Sequence, residues 1–583
     1  MRCSLIAVAL AVLPVLAHPA HALQVPLKQD RIESPEGTVT GYLFGRSLAV
    51  ADFDGDGFDD LVAMEPGATA GGDLWAGRGW VLKGPAFNPV VKFEARGPEK
   101  EEYLGSGGCW TGDVNADGAV DILVGSYEYK VGSQLDVGRA HVFLGPDYTV
   151  DIVLQEPEPK GGAWFGFSGV LADFDGDSRD DVLVSANRAD VRQPAGVIVE
   201  GAGKIWLWNA LSLFDPMSLK KPVLIGDPQP LKDGAFGSVL AVEELSGQPP
   251  LDLLVTRNAS TCCPFTEGDV YVFDGLGPGI LDKAGQSSLD GVDAVGSDID
   301  LADVTGDGVL DLVLGAPLSD LLACQDAGRV VVLEGPDFDR LAFSLESPFA
   351  CTGSYWLFGA KGLVLDLDRD GDQDIVCKDP VSTLSSFDLV EVFWGPAYDS
   401  FESLGDEGAP AHFIGLGVSM VSGDFDGDGF DELAFGAIHG NASGCVYIYD
   451  PQTLTADASE VPVSTGGDVT FTLRMAPEDH GKAFVAGLGV SSSKPGIVLG
   501  PGSFVPLNPD AVTFAGLALL TSPLLEGFLG RLDQSASASF TLHLPPGFPA
   551  PLIGQTLTVA AVVIEPDGRL GAGSSAAEVL LAP

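Results

Sequence analysis

The stretch ADFDGDGFDDLV, residues 51–62, puts five acidic side chains into nine residues between two apolar ends. Charges of one sign do not crowd like this by themselves. Asp52, Asp54 and Asp56 occupy positions 1, 3 and 5 of a loop and Asp60 occupies position 9. Gly57 at position 6 permits a sharp turn. The alternate carboxylates then converge, and the carbonyl of Phe58 at position 7 turns inward. An oxygen-only shell of this kind suits a hard cation, and Ca²⁺ is the expected ion. No Glu stands at position 12, and Leu61-Val62-Ala63 reads as a strand, so the loop is expected between strands and not between helices.

The pattern returns five more times. The expected ligands are Asp113, Asn115, Asp117, the carbonyl of Ala119 and Asp121; then Asp173, Asp175, Asp177, the carbonyl of Arg179 and Asp181, where Ser178 replaces the glycine. Next come Asp303, Thr305, Asp307, the carbonyl of Val309 and Asp311, followed by Asp366, Asp368, Asp370, the carbonyl of Asp372 and Asp374. The last set is Asp424, Asp426, Asp428, the carbonyl of Phe430 and Glu432. A further unit sits in the long gap. Aligning Asp252 with position 9 puts Glu244, Ser246 and Gln248 at positions 1, 3 and 5, followed by Pro249-Pro250. That unit keeps its strand and is expected to hold no metal. First positions then fall at 52, 113, 173, 244, 303, 366 and 424.

A period near sixty residues without a helical pattern implies blades or solenoid coils. Each unit has a mark upstream: Phe44-Gly45, Leu104-Gly105, Phe165-Gly166, Phe236-Gly237, Phe358-Gly359. Downstream lies a Val/Tyr/Phe-rich run such as GRAHVFLGP (138–146) or GCVYIYDP (444–451), with strand alternation. Four short strands per unit is the size of a propeller blade. The last unit stops near Asp450 without an outer strand, and residues 23–34 are available to supply it. Seven blades then close with no open edge.

The phrase LVLGAP (312–317), the recurring Phe-Gly and the DxDxDGxxD loops resemble the FG-GAP repeats of integrin alpha-subunit propellers. Secreted bacterial proteins with such repeats are closer still in style. The resemblance covers residues 23–452 and implies an all-β fold, a seven-bladed propeller, with about six structural calcium sites. It implies an extracellular binding or adhesion role, and it is weak on activity, because one fold serves many functions.

Residues 1–22, with Arg2, LIAVALAVLPVLA and AHA, read as a signal peptide. No later stretch reads as a membrane span, so the expected location is secreted, periplasmic or extracellular. The charge of −51 opposes nucleic acid. Of eight cysteines, Cys3 falls in the leader; Cys324 with Cys351 is a candidate disulfide, and Cys262-Cys263 could pair with each other or with two different partners. Residues 453–460 read as a linker, and 461–583 as a small β-sandwich-like domain with runs such as DVTFTLRM (468–475) and QTLTVAAVVIEP (555–566).

Catalytic signatures are sparse. No zinc HxxxH pair and no GxSxG elbow occurs. His141 reads as the filler of a strand face. Asp59, Glu65, Asp320 and Asp379 are carboxylates that a glycosidase pair would need, although an acidic chain makes such pairs by chance. Trp110, Trp164 and Trp356 lie near the Phe/Leu-Gly marks, where they either contact a ligand or pack between blades. The leading reading is a calcium-binding extracellular protein with a protein or glycan ligand. A glycan-active hydrolase or lyase and a purely structural module are the alternatives.

Overall fold

The computed structural model describes residues 27–583 except 38–40, 96–100, 215–220, 244, 246–250, 259–266, 275–281, 294, 321–326, 348–356, 368–370, 383–385, 405–414, 428–429, 439–442, 452–453, 476–478, 491–496 and short stretches between 501 and 576. Outside the described residues fall the leader, Cys262, Cys263, Cys324, Cys351, Trp356, Asp368, Asp370 and Asp428. So do Glu244, Ser246 and Gln248 of the fourth unit.

The chain is nearly all β. Seven four-stranded antiparallel sheets occupy residues 27–451. Six are built in chain order from one repeat each. The first comprises Leu48–Ala51, Asp60–Glu65, Arg78–Lys83 and Asn88–Phe93. The seventh is assembled from both ends of the region. Leu416–Gly423, Glu432–Ala437 and Cys445–Pro451 are followed outward by Leu27–Glu33, in register from Leu27 opposite Pro451 to Glu33 opposite Cys445. Seven main-chain rungs thus join the start of the described chain to residue 451, and the seventh sheet gains its fourth strand.

The second strand of each sheet is the most deeply buried, because it has a strand on either side and a sheet on either face. Asp60–Glu65, Asp121–Ser126, Asp181–Ala186 and Asp311–Ala316 are buried at every position. Such strands read as continuous apolar runs instead of alternating ones. The innermost strands touch in sequence from sheet to sheet, and Leu416–Gly423 of the seventh touches Leu48–Ala51 of the first. The fold is that of a β-propeller.

The Phe-Gly mark acts as a staple between sheets. Phe44, Phe165, Phe236 and Phe358 have no exposed surface. The Phe165 amide donates to the carbonyl of Val137 in the preceding unit, and Phe236 does the same to Ala202. At Leu104-Gly105 the glycine has φ +90°, and a Cβ there would stand 2.7 Å from the Cβ of Met64. Only glycine meets both conditions.

Beyond residue 453 two further sheets share one apolar core. One contains Leu454–Ala456, Gly467–Arg474, Ser537–Leu544 and Leu525–Glu526. The other is built on Thr556–Ile564, Ala483–Gly489 and Ala577–Ala582. Phe471, Phe484, Phe528 and Phe540 meet between them, with ring centroids of Phe528 and Phe540 4.6 Å apart.

Candidate metal centres and the opposite loop face

Each acidic loop joins the first strand of a sheet to the second. Position 1 organises the turn. Asp52 Oδ1 accepts the amides of Gly55 (2.8 Å) and Asp56 (3.2 Å), and its Oδ2 accepts Gly57 (2.9 Å). Asp173 repeats this with Gly176, Asp177 and Ser178, so the serine at position 6 donates as the glycine does. Asp113 and Asp303 accept Gly118 and Gly308 in the same way, at 2.9 and 2.7 Å. Position 5 then fixes position 7. The Asp56, Asp117, Asp177 and Asp307 carboxylates accept the amides of Phe58, Ala119, Arg179 and Val309.

Position 9 does more than the sequence shows. Asp60 Oδ2 accepts the Phe53 amide (3.1 Å) and Oδ1 accepts the Gly84 amide at the end of the third strand (2.9 Å). Asp121, Asp311 and Asp374 make the same pair of bonds, to Val114 and Gly145, Val304 and Gly335, and Leu367 and Gly395. These carboxylates are buried. Burial pushes Asp60 up to about 6 and Asp121 and Asp181 up to about 7, against the pull of the amide donors. In the fourth unit Asp252 still accepts the Leu245 amide at 3.1 Å. Position 9 therefore survives there as a turn latch, whatever the fate of the first three positions.

Among the described residues, three groups bring one carboxylate oxygen from each of three acids within 4.8 Å of one another. They are Asp52/Asp54/Asp60, Asp173/Asp175/Asp177 and Asp424/Asp426/Glu432. Ca²⁺–O distances of about 2.3–2.6 Å let ligands on opposite sides of one ion stand about that far apart. The donor set is all oxygen and strongly anionic, so the residues fit a hard cation. In the first loop a positive charge already stands on two of the acids. The Lys83 ammonium bonds Asp54 and also Asp56, the latter at 2.9 Å, and those carboxylates raise its pKa. In the third loop the Asn209 amide donates to Asp175.

Three of the four carboxylates considered for catalysis are engaged elsewhere. Asp59 bonds the seventh loop. Glu65 is buried against Arg78, with Trp80 Nε1 also donating to it. Asp379 accepts the Ser347 hydroxyl; at Asp320 it is the main-chain carbonyl, not the carboxylate, that accepts from Arg329. His141 is not a simple filler. Its Nδ1 and Nε2 lie 2.8 Å from Asp151 and Glu102, and Arg139 also pairs with Glu102. Cys109, Cys377 and Cys445 are buried free thiols.

The connections from second to third strands, and the Phe-Gly turns, lie at the opposite end of the sheets. The tryptophans separate there. Trp110 belongs to the innermost strand Gly108–Gly112 and lines an axial cavity of about 610 Å³. Trp164 has Arg188 over its ring at 4.0 Å and Phe167 stacked at 5.7 Å. Trp75, not singled out from sequence, is 46% exposed and stacks on Tyr103 at 6.1 Å. Exposed Leu74, Val131, Leu135, Val197 and Ile198 stand on the same class of connection in the first three sheets.

No helix among the described residues is long and apolar enough to cross a membrane. The FG-GAP repeat family model matches residues 44–82, 165–208 and 295–333. The chain is 29% identical over 180 residues to integrin alpha-5 of Xenopus laevis, covering 30% of this chain and 16% of that protein. It is 30% identical over 203 residues to integrin alpha-PS2 of Drosophila melanogaster, covering 33% and 13%. It is 31% identical over 155 residues to phosphatidylinositol-glycan-specific phospholipase D of Rattus norvegicus, covering 25% and 18%. The matched stretches are thus less than a fifth of each relative's own length. The chain thus carries three matches to the FG-GAP repeat and is similar, over about a third of its length or less, to integrin alpha subunits.

Proposed function

We propose that this is a secreted, calcium-stabilised adhesion-type protein that binds an extracellular protein through the loop face opposite the acidic loops. In this reading residues 1–22 are a signal peptide, 23–452 one closed seven-bladed propeller, 453–460 a linker and 461–583 a separate β-sandwich-like domain. Calcium occupies six loops, rigidifies one end of the ring, and leaves the other end free for recognition. The carrying observation is the division of labour between the ends. Carboxylates converge at one, and exposed Trp75, Leu74, Leu135 and Ile198 stand on connections at the other. Exposed aromatic and aliphatic side chains on loops held by a rigid scaffold suit protein recognition. The integrin alpha relatives support an extracellular setting.

The test is binding of the mature chain, in calcium, to panels of extracellular-matrix proteins and glycans, with Trp75→Ser alongside. The expected result is capture of a protein ligand, reduced about tenfold or more by Trp75→Ser at unchanged melting temperature. Glycan capture alone would move the reading to carbohydrate recognition. Capture indifferent to Trp75, or none on either panel, would contradict it.

A further inference from the structure

Position 8 of the acidic loops carries an aspartate in the first, third and seventh units: Asp59, Asp180 and Asp431. In two of them the side chain reaches back to the preceding sheet. Asp180 Oδ2 accepts the amide of Asp113 at 2.7 Å, and the Asp180 amide donates to the Asp113 carbonyl at 3.0 Å. Asp59 makes the same two bonds to Asp424, each at 3.0 Å. Asp113 and Asp424 are the position 1 residues of their loops, the ones that organise each turn. Both follow a glycine. A Cβ on Gly112 would run into the Asp180 carboxylate, and one on Gly423 would come within 2.9 Å of Asp59 Oδ2. Where Leu365 precedes Asp366, by contrast, the next sheet's Asp431 is exposed.

Position 7 reaches across the same two junctions. Arg179 donates to the carbonyl of Asn115. Phe58 is buried against the seventh loop, where a Cβ on Gly427 would collide with its ring. In the calcium reading position 7 is the residue that supplies its carbonyl to the cation. Each pair of loops is therefore joined through the residues that shape both ion shells.

We infer that the calcium loops at 113–121 and 173–181 bind as one coupled pair, and those at 424–432 and 52–60 as another, with Asp180 and Asp59 as positioning residues. This rests on the calcium reading above. An ion that fixes Asp113 also fixes the partner of Asp180, so the second ion meets a turn already ordered. Linkage makes the effect reciprocal. The loop at 303–311 is tied instead to the loop at 366–374, through the Tyr398 hydroxyl that donates to the carbonyls of Val304 and Gln373, and has no latch to either named pair among the described residues, so it is the control for both.

Hydrogen exchange of the full chain, resolved by peptide and titrated with calcium alone, reads each loop separately. Asp117→Ala is expected to move the protection midpoint of 173–181 to about fivefold higher calcium and to leave 303–311 in place. With Asp180→Ala added, 173–181 no longer responds to the state of the second loop; with Asp180→Asn, which keeps an acceptor, it still does. Should Asp180→Ala not fold, Asp426→Ala read at 52–60 asks the same question of the other pair. An unmoved midpoint at 173–181, or an equal shift at 303–311, overturns the coupling while leaving calcium binding intact. Absence of calcium-dependent protection at any loop of the unsubstituted chain overturns the calcium reading, and the coupling with it.

Discussion

Asp59 and Asp424 are 365 residues apart in sequence and bond each other twice, amide to carboxylate and amide to carbonyl. They join the first sheet to the seventh at the acidic end of the ring, while Leu27–Glu33 joins the two ends of the region at its rim. Asp59→Ala leaves the half-buried Asp424 amide without its acceptor, which costs about 1–3 kcal/mol. The melting temperature in calcium should fall by a few degrees. Asp431→Ala, at the equivalent but exposed position, should change it little. Equal effects from the two substitutions would argue against the latch.

Glu391 sets a pH dependence remote from the loops. Its carboxyl is fully buried, faces the Ser403 hydroxyl at 2.8 Å, and has Asp379 as an acidic neighbour. Burial pushes its pKa from 4.5 up to about 8. A raised carboxyl is protonated in the native state where the unfolded chain is ionised. Its contribution is therefore lost as pH rises from about 4.5 to about 8. Glu391→Gln should flatten that limb of stability against pH and raise the melting temperature most near pH 8. A parallel curve for the two proteins would place the titration elsewhere.

In the proposed calcium reading Lys83 opposes the ion of the first loop, since its ammonium bonds Asp54 and Asp56. Lys83→Met removes a positive charge at a partly exposed position. Calcium protection of residues 52–60 should then appear at about fivefold lower calcium, with the other loops unmoved. A midpoint that stays put or rises would show that the lysine does not oppose the ion.

The repeat was legible because it lies in the type and spacing of residues. Acids at alternate positions, a following apolar strand and a period near sixty specify a loop between strands and its return. The supply of an outer strand from residues 27–33 followed from counting strands per unit. What the spacing hides is which oxygen does what. Asp60 converges with Asp52 and Asp54 as its spacing implies, and in addition both its oxygens accept backbone amides, a duty the spacing does not show and that also explains why Asp252 persists in the fourth unit. Asp59 looks like a spare acid, because its partner comes from the far end of the chain. Trp164, beside its Phe-Gly mark, has Arg188 over its ring and Phe167 stacked beside it, neighbours that the spacing does not show. Trp75 is exposed because of where its connection emerges, and no local pattern records that.

In the reading proposed above, calcium holds the ring together. An ion that binds only the native chain adds RT ln(1 + [L]/Kd) per site, about 2.7 kcal/mol at a hundredfold excess over Kd. Several such sites rival the whole stability of a domain, about 5–15 kcal/mol. Scanning calorimetry of the mature chain in millimolar calcium and in excess chelator tests this directly. Chelation is expected to lower the ring's transition by about ten degrees or more, and readded calcium to restore it. Coincident transitions in calcium and chelator would contradict it.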